Sequence, residues 1–206
     1  MRSFWSEPFL WIHFAGLAVV PIFLELVWIG LAIGDPILPF WLELFIVGAI
    51  GILPILWMQW TRPFDIFSLL IIALKPDSLT VEQQKILSLF KKKQQRPIAL
   101  LSAILMGCIL WQLDRFAPLA MSAASLLPQE RLLGLLIASV SFLLSNLFFQ
   151  IPMSVLGVFL VGARQYATID PYTPEKVRQS FTIPGFRVRK ILPSVEVPQD
   201  LPVSES

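Results

Sequence analysis

Residues 132–149 read LLGLLIASVSFLLSNLFF, eighteen residues without a charge. A helix needs about 20 such residues to cross the hydrocarbon core of a bilayer. This stretch can run on past Gln150 and Pro152 toward Gly162. A strand crossing lipid would need only about ten residues, with polar side chains alternating toward a lumen. That alternation is absent, so the segment reads as a transmembrane helix.

Three further stretches have the same character: 9–33, 39–60 and 98–113. The last is the shortest. Its sixteen residues rise only about 24 Å against a core of about 30 Å. It reaches across by using 114–117 with snorkelling ends or by thinning the bilayer locally. The alternative is a buried or re-entrant helix. The fold class is therefore all-α: a polytopic membrane protein with four transmembrane helices. The first apolar stretch is too long for the core of a signal peptide, and no clear cleavage site precedes Gly34-Asp35-Pro36, so it reads as a retained helix.

Composition agrees. Apolar residues make up 56 % of the 206 and charged residues 15 %, whereas soluble domains carry about 25 % charged residues. A net charge of +2 is too small to imply nucleic acid. A lone cysteine, Cys108, excludes an internal disulfide and any CxxC site. A lone histidine, His13, excludes a multi-histidine metal site. No HExxH, GxSxG, P-loop or GxGxxG motif is present. The expectation is a protein with no catalytic set, no metal and no cofactor. All seven tryptophans fall near span ends, at the headgroup level that amphipathic rings prefer.

Positive charge sets orientation. Of sixteen Lys and Arg residues, only Arg115 and Arg131 lie on the segments joining spans one to two and three to four. The others flank the N-terminus, the loop at 61–97 and the chain after span four. Both termini and the central loop are therefore expected in the cytoplasm. Residues 1–162 form the transmembrane domain. Residues 163–206 form a basic, proline-rich tail, expected to be disordered after about 192.

The central loop holds a helix capped by Thr80, with Gln83 placed for a capping box. Its Ile86, Leu87, Leu89 and Phe90 lie beside Lys91, Lys92 and Lys93, which suits a helix lying on an anionic membrane surface. The same lysines also serve as a plain topology signal. Arg187, Arg189 and Lys190 offer a second contact for anionic lipid. After spans two and four comes a glutamine, then a proline, then a short apolar piece: 64–74 and 153–161. Each piece is expected to bend along the interface. The parallel suggests two helical hairpins, spans one–two and three–four, with amphipathic interfacial segments.

Ionisable groups inside spans each need a reason. Glu25 lies about 12 Å deep in span one. Glu43 lies about one turn inside span two. If the two spans are antiparallel neighbours, the carboxylates can meet and share a proton. Otherwise Glu43 snorkels to water and Glu25 takes a local hydrogen bond. His13 and Gln59 could bond across the same hairpin. Asn146 and Gln150, four residues apart, share a helix face and are read as glue between helices. Gly48, Ala49 and Gly51 permit close approach of span one or a partner.

The stretches SEPFLWIHFAGLAVVPIFLE (6–25), WLELFIVGAIGILPILWMQWTRPF (41–64), RLLGLLIASVSFLLSNLFFQIP (131–152) and FTIPGF (181–186) resemble a family of cyanobacterial multi-pass membrane proteins, the low-complexity-tail membrane proteins. The resemblance implies a photosynthetic prokaryote and a thylakoid or plasma membrane. It carries over no functional residues. This chain departs from the family in its brief tail after Pro193. Two functions remain open. One is a non-enzymatic scaffold or assembly factor that binds lipid and other membrane proteins, in one version for a photosynthetic complex. The other is a small proton or ion transporter using Glu25 and Glu43.

Overall fold

A computed structural model describes residues 4–69 and 71–191. Arg2 and the chain after 191, including the segment expected to be disordered, lie outside the described residues. Four helices are long and apolar enough to cross a membrane: Pro8–Ala32, Phe40–Thr61, Gln95–Arg115 and Arg131–Phe159. Span one is two helices, α1 (Pro8–Ala15) and α2 (Val20–Ala32), joined by a 3-10 stretch at Gly16–Val19. Pro21 has no N–H for the Leu17 carbonyl, so the chain tightens and Val20 donates there instead. Span two is α3 (Phe40–Thr61). The short loop helix α4 (Val81–Phe90) follows, and span three is α5 (Gln95–Arg115). At 21 residues, α5 rises about 31 Å, so the third span is longer than the sixteen apolar residues suggest and long enough to cross the core.

A short helix α6 (Met121–Ala124) leads to span four, α7 (Arg131–Phe159). Its 29 residues make a rod of about 44 Å, longer than the hydrocarbon is thick. The helix continues unbroken through Pro152, so the piece after that proline is part of span four and not a separate segment lying along the interface. Burial supports it: Ile151, Pro152, Val155 and Val158 are all packed inside protein, which keeps the last turns helical.

Span four is the centre of the bundle. Spans one, two and three all pack on it, whereas spans one and two share few contacts. The expected one–two hairpin is therefore not a packed pair. Glycine decides this. A Cβ on Gly30 would lie 2.8 Å from the Ala138 amide nitrogen, and one on Gly134 would lie 2.7 Å from the Gly30 carbonyl oxygen. Those two backbones touch, and no larger residue fits. Gly51 likewise receives the Phe142 ring of span four, and Gly48 lies against Leu110 of span three. Gly48 and Gly51 of span two thus face spans three and four and not span one. Val27, Leu31, Val47, Met106, Leu135, Ala138 and Phe142 form the core of this half.

The other end is capped. Helices α8 (Ala163–Ala167) and α9 (Pro174–Ser180) come from the tail. Strands β1 (Ser68–Leu69) and β2 (Ile72–Leu74) pair antiparallel, and β3 (Phe186–Val188) adds to β2 in parallel. Ile72 faces Phe186 and Leu74 faces Val188 in that register. Gly185 makes the entry to β3 at φ +69, and a Cβ there would strike the Ile71 carbonyl at 1.9 Å. The capping box forms: Gln83 donates its amide to Thr80 Oγ1, and the Thr80 amide reaches Gln83 Oε1. The apolar side of α4 does not lie on lipid. Ile86, Leu87, Leu89 and Phe90 enter one core with Phe9, Leu10, Ile66, Phe67, Val158, Val177 and Phe181. The 64–74 piece is likewise drawn into this cap. The N-terminal helix, the central loop and the tail therefore share one folded end.

Candidate functional site

Glu43 is 2 % exposed and fully engaged. Its Oε1 accepts from the Ile37 and Leu38 amides at 3.0 and 3.1 Å. Its Oε2 accepts from Arg131 Nε at 2.8 Å and from Arg131 Nη2. Arg131 Nη1 donates in turn to the Leu31 and Ile33 carbonyls at 2.8 and 2.9 Å. One ion pair thus ties the end of span one, the turn after it, the start of span two and the start of span four. The expected meeting of Glu25 with Glu43 does not occur. Glu25 is exposed on the outside of α2, beside Ile22 and Leu26 at 59 % and 41 % exposure.

His13 and Gln59 do not bond across a hairpin either, because the helices that carry them each pack on span four and share few contacts. His13 Nδ1 lies 2.9 Å from the Phe9 carbonyl oxygen on its own helix, and its ring tilts against Phe64. A carbonyl can only accept, so Nδ1 carries the proton of this bond. His13 lines an apolar cavity of about 340 Å³ with Gly16, Phe64, Phe148, Pro152 and Pro184.

Asn146 and Gln150 are completely buried in α7. Asn146 Nδ2 donates to the Phe142 carbonyl at 3.0 Å, and Gln150 Nε2 reaches Asn146 Oδ1 at 3.5 Å. These bonds stay within span four. The bond that crosses to span three comes from a residue the sequence did not mark: Gln95 Nε2 donates to the Ser154 carbonyl at 3.3 Å.

Asp65, in the cap, is fully buried. Oδ1 accepts from the Phe67 amide at 3.0 Å, and Oδ2 has no hydrogen-bond partner among the described residues. Burial raises its pKa from 3.8 to about 6, against a smaller lowering by the Phe67 bond. The folded protein keeps this proton where the unfolded chain has lost it, so stability falls as pH rises between about 4 and 6. The shift corresponds to roughly 3 kcal/mol. Asp65→Asn should remove that slope and raise the unfolding midpoint at pH 7.5. Thermal unfolding in detergent from pH 4.5 to 8 checks this; parallel profiles for both proteins refute it.

Cations gather at the junction of cap and membrane. Arg62 follows span two directly and donates Nη2 to the Arg178 and Phe181 carbonyls at 3.1 and 3.3 Å. Lys91 Nζ donates to the Thr61 carbonyl at 2.9 Å. Partial burial, then Arg62 and Arg96, hold its ammonium below the usual lysine range. Arg96 stacks over the Trp60 ring at 5.6 Å, and Arg178 pairs with Asp77. A cavity of about 230 Å³ lies among Arg62, Arg178, Phe181, Thr182, Ile183 and Arg187. The sequence offered no local sign of this cavity, because its two halves are more than 100 residues apart. Among the described residues no group of three His, Cys, Asp or Glu side chains could hold a metal ion.

No curated protein matches the chain, and no solved structure matches it. A family model, that of the low-complexity tail membrane protein-like proteins, matches residues 6–193. That interval takes in all four spans and the whole described cap, so this chain belongs to the low-complexity tail membrane protein-like family.

Proposed function

We propose that this is a non-enzymatic integral membrane protein that holds another membrane protein, acting as a scaffold or assembly factor. Glu25 carries the reading. It sits seven residues from the end of span one at Ala32, roughly 10 Å along the helix. It is exposed there among apolar side chains, with no hydrogen bond or ion pair to another described residue. An ionised side chain facing hydrocarbon costs about 2.5–3.5 kcal/mol at the centre of a span, which favours a partner in the membrane. The matching surface is a transmembrane helix with a basic or amide N–H side chain at the same depth. A second copy meeting face to face would offer only another carboxyl and not the basic or amide N–H donor, so a different protein is the occupant.

The distribution of lysine and arginine makes the capped end cytoplasmic in this reading. The membrane is a thylakoid or plasma membrane, and a photosynthetic complex is one version of the partner. Lys91, Lys92, Lys93, Arg187, Arg189 and Lys190 give that end its contact with anionic lipid. The transporter reading loses its motive: Arg131 occupies Glu43, and neither cavity described above is lined by Glu25 or Glu43.

A photo-crosslinking residue in place of Leu26, used in native membranes, tests the proposal. It should give one discrete protein adduct, and Glu25→Gln should reduce that adduct about tenfold, the effect of about 1.4 kcal/mol. The same residue in place of Leu53 on span two should not give the adduct. Labelling of lipid alone, or an adduct indifferent to Glu25→Gln, sinks the reading.

A further inference from the structure

The cavity between the central loop and the tail gathers more positive charge than the fold neutralises. Arg62, Arg178 and Arg187 line it, and Lys91 stands over the Phe181 ring that forms its wall, 5.9 Å from the centroid. Asp77, paired with Arg178, is the one carboxylate the described contacts bring to this group. Gathering like charges costs energy unless an anion joins them.

The arrangement is also fixed in place. Two carbonyls hold Arg62 Nη2, leaving Nε and Nη1 uncommitted among the described contacts. Thr182 Oγ1 donates to the Arg62 carbonyl at 2.7 Å. The Thr182 amide donates to the Pro63 carbonyl at 2.9 Å, and the Asp65 amide donates to the Thr182 carbonyl at 3.0 Å. These bonds lock the loop half of the cavity to the tail half. Guanidinium groups present paired N–H donors whose spacing matches the oxygens of a phosphate.

Depth identifies the source of the anion. Arg62 is the first residue after span two, Lys91 is bonded to Thr61, and Arg96 lies on Trp60. Tryptophan at a span end marks the headgroup level. We propose that this cavity is a specific site for a phosphate oxyanion, supplied by the headgroup of an anionic lipid in the leaflet at the capped end. The site deepens the lipid contact proposed above by assigning it to Arg62, Arg178 and Arg187. Filling it would brace the tail against the loop. It is independent of the Glu25 surface, so either can fail alone.

The full chain in neutral detergent, titrated with phosphatidylglycerol or phosphatidylcholine and followed by native mass spectrometry, tests the site. Phosphatidylglycerol should bind in preference. Arg187→Ala should weaken it about tenfold, the loss of one charge-assisted hydrogen bond. The Arg187 side chain is exposed, so the unfolding midpoint without lipid should not move. Lys176→Ala is the control: it removes an exposed charge that does not line the cavity, and should change affinity by less than about twofold. Inorganic phosphate separates the sources. Displacement of the lipid shows that the oxyanion alone is recognised; retention shows that the whole headgroup is. Equal binding of the two lipids, or equal losses for Arg187→Ala and Lys176→Ala, overturns the site and leaves only diffuse attraction.

Discussion

Arg131→Ala should destabilise the folded protein by about 3–5 kcal/mol, the usual cost of stranding one member of a buried ion pair. The pair is 9 % and 2 % exposed, so little water reaches the carboxylate left behind. The loss extends beyond the charge, because the Leu31 and Ile33 carbonyls lose their donor as well. Glu43→Ala should cost a similar amount, freeing the Ile37 and Leu38 amides. Replacing both residues with apolar ones should recover only part of the loss. The charges would be gone, but four backbone groups would still want partners. Unfolding midpoints of the three variants in detergent decide the matter. If the double variant matched the wild type, the pair would be dispensable as a clamp.

Gly30→Ala should also be severe for one methyl group, at about 3 kcal/mol, the upper part of the range for overpacking. The added carbon would lie 2.8 and 2.9 Å from backbone atoms of Ala138 and Gly134. Backbone cannot swing aside as a side chain can. Span one would have to move away from span four, opening the interface on which both depend. Gly162→Ala is the comparison, since nothing lies within 4 Å of a Cβ there. Thermal unfolding of the two variants should separate them clearly, and equal midpoints would show that the helix contact is soft.

Much of this architecture is legible in the chain. Span positions follow from length and polarity, and the start of α4 follows from Thr80 and Gln83. What escaped the sequence is nonlocal. Glu43 was visible as a costly group, but Arg131 reads as an ordinary loop charge until the fold brings the two together from 88 residues apart. Glu25 and Glu43 were paired because a short loop joins their helices. Chain proximity lost to the glycine contact between spans one and four. The tail reads as a basic, proline-rich segment, and its place in a sheet is hidden because β3 acquires its partner only when β2 is present. The burial of Asp65 is not written in its neighbours. The three arginines of the basic cavity carry no motif; a topology signal and a site look alike in one dimension.

The central place of span four has a consequence for biosynthesis. The ribosome makes this helix last of the four, so the earlier helices enter the membrane without the one on which all three pack. Glu43 must wait in or near the lipid until its counter-ion, 88 residues downstream, has been translated. Assembly of the bundle is therefore a late event, completed only after the nascent chain has passed Phe159. A chain cut short before Arg131 would present three helices without their central one and an unpaired carboxylate to the proteases that clear orphaned membrane proteins.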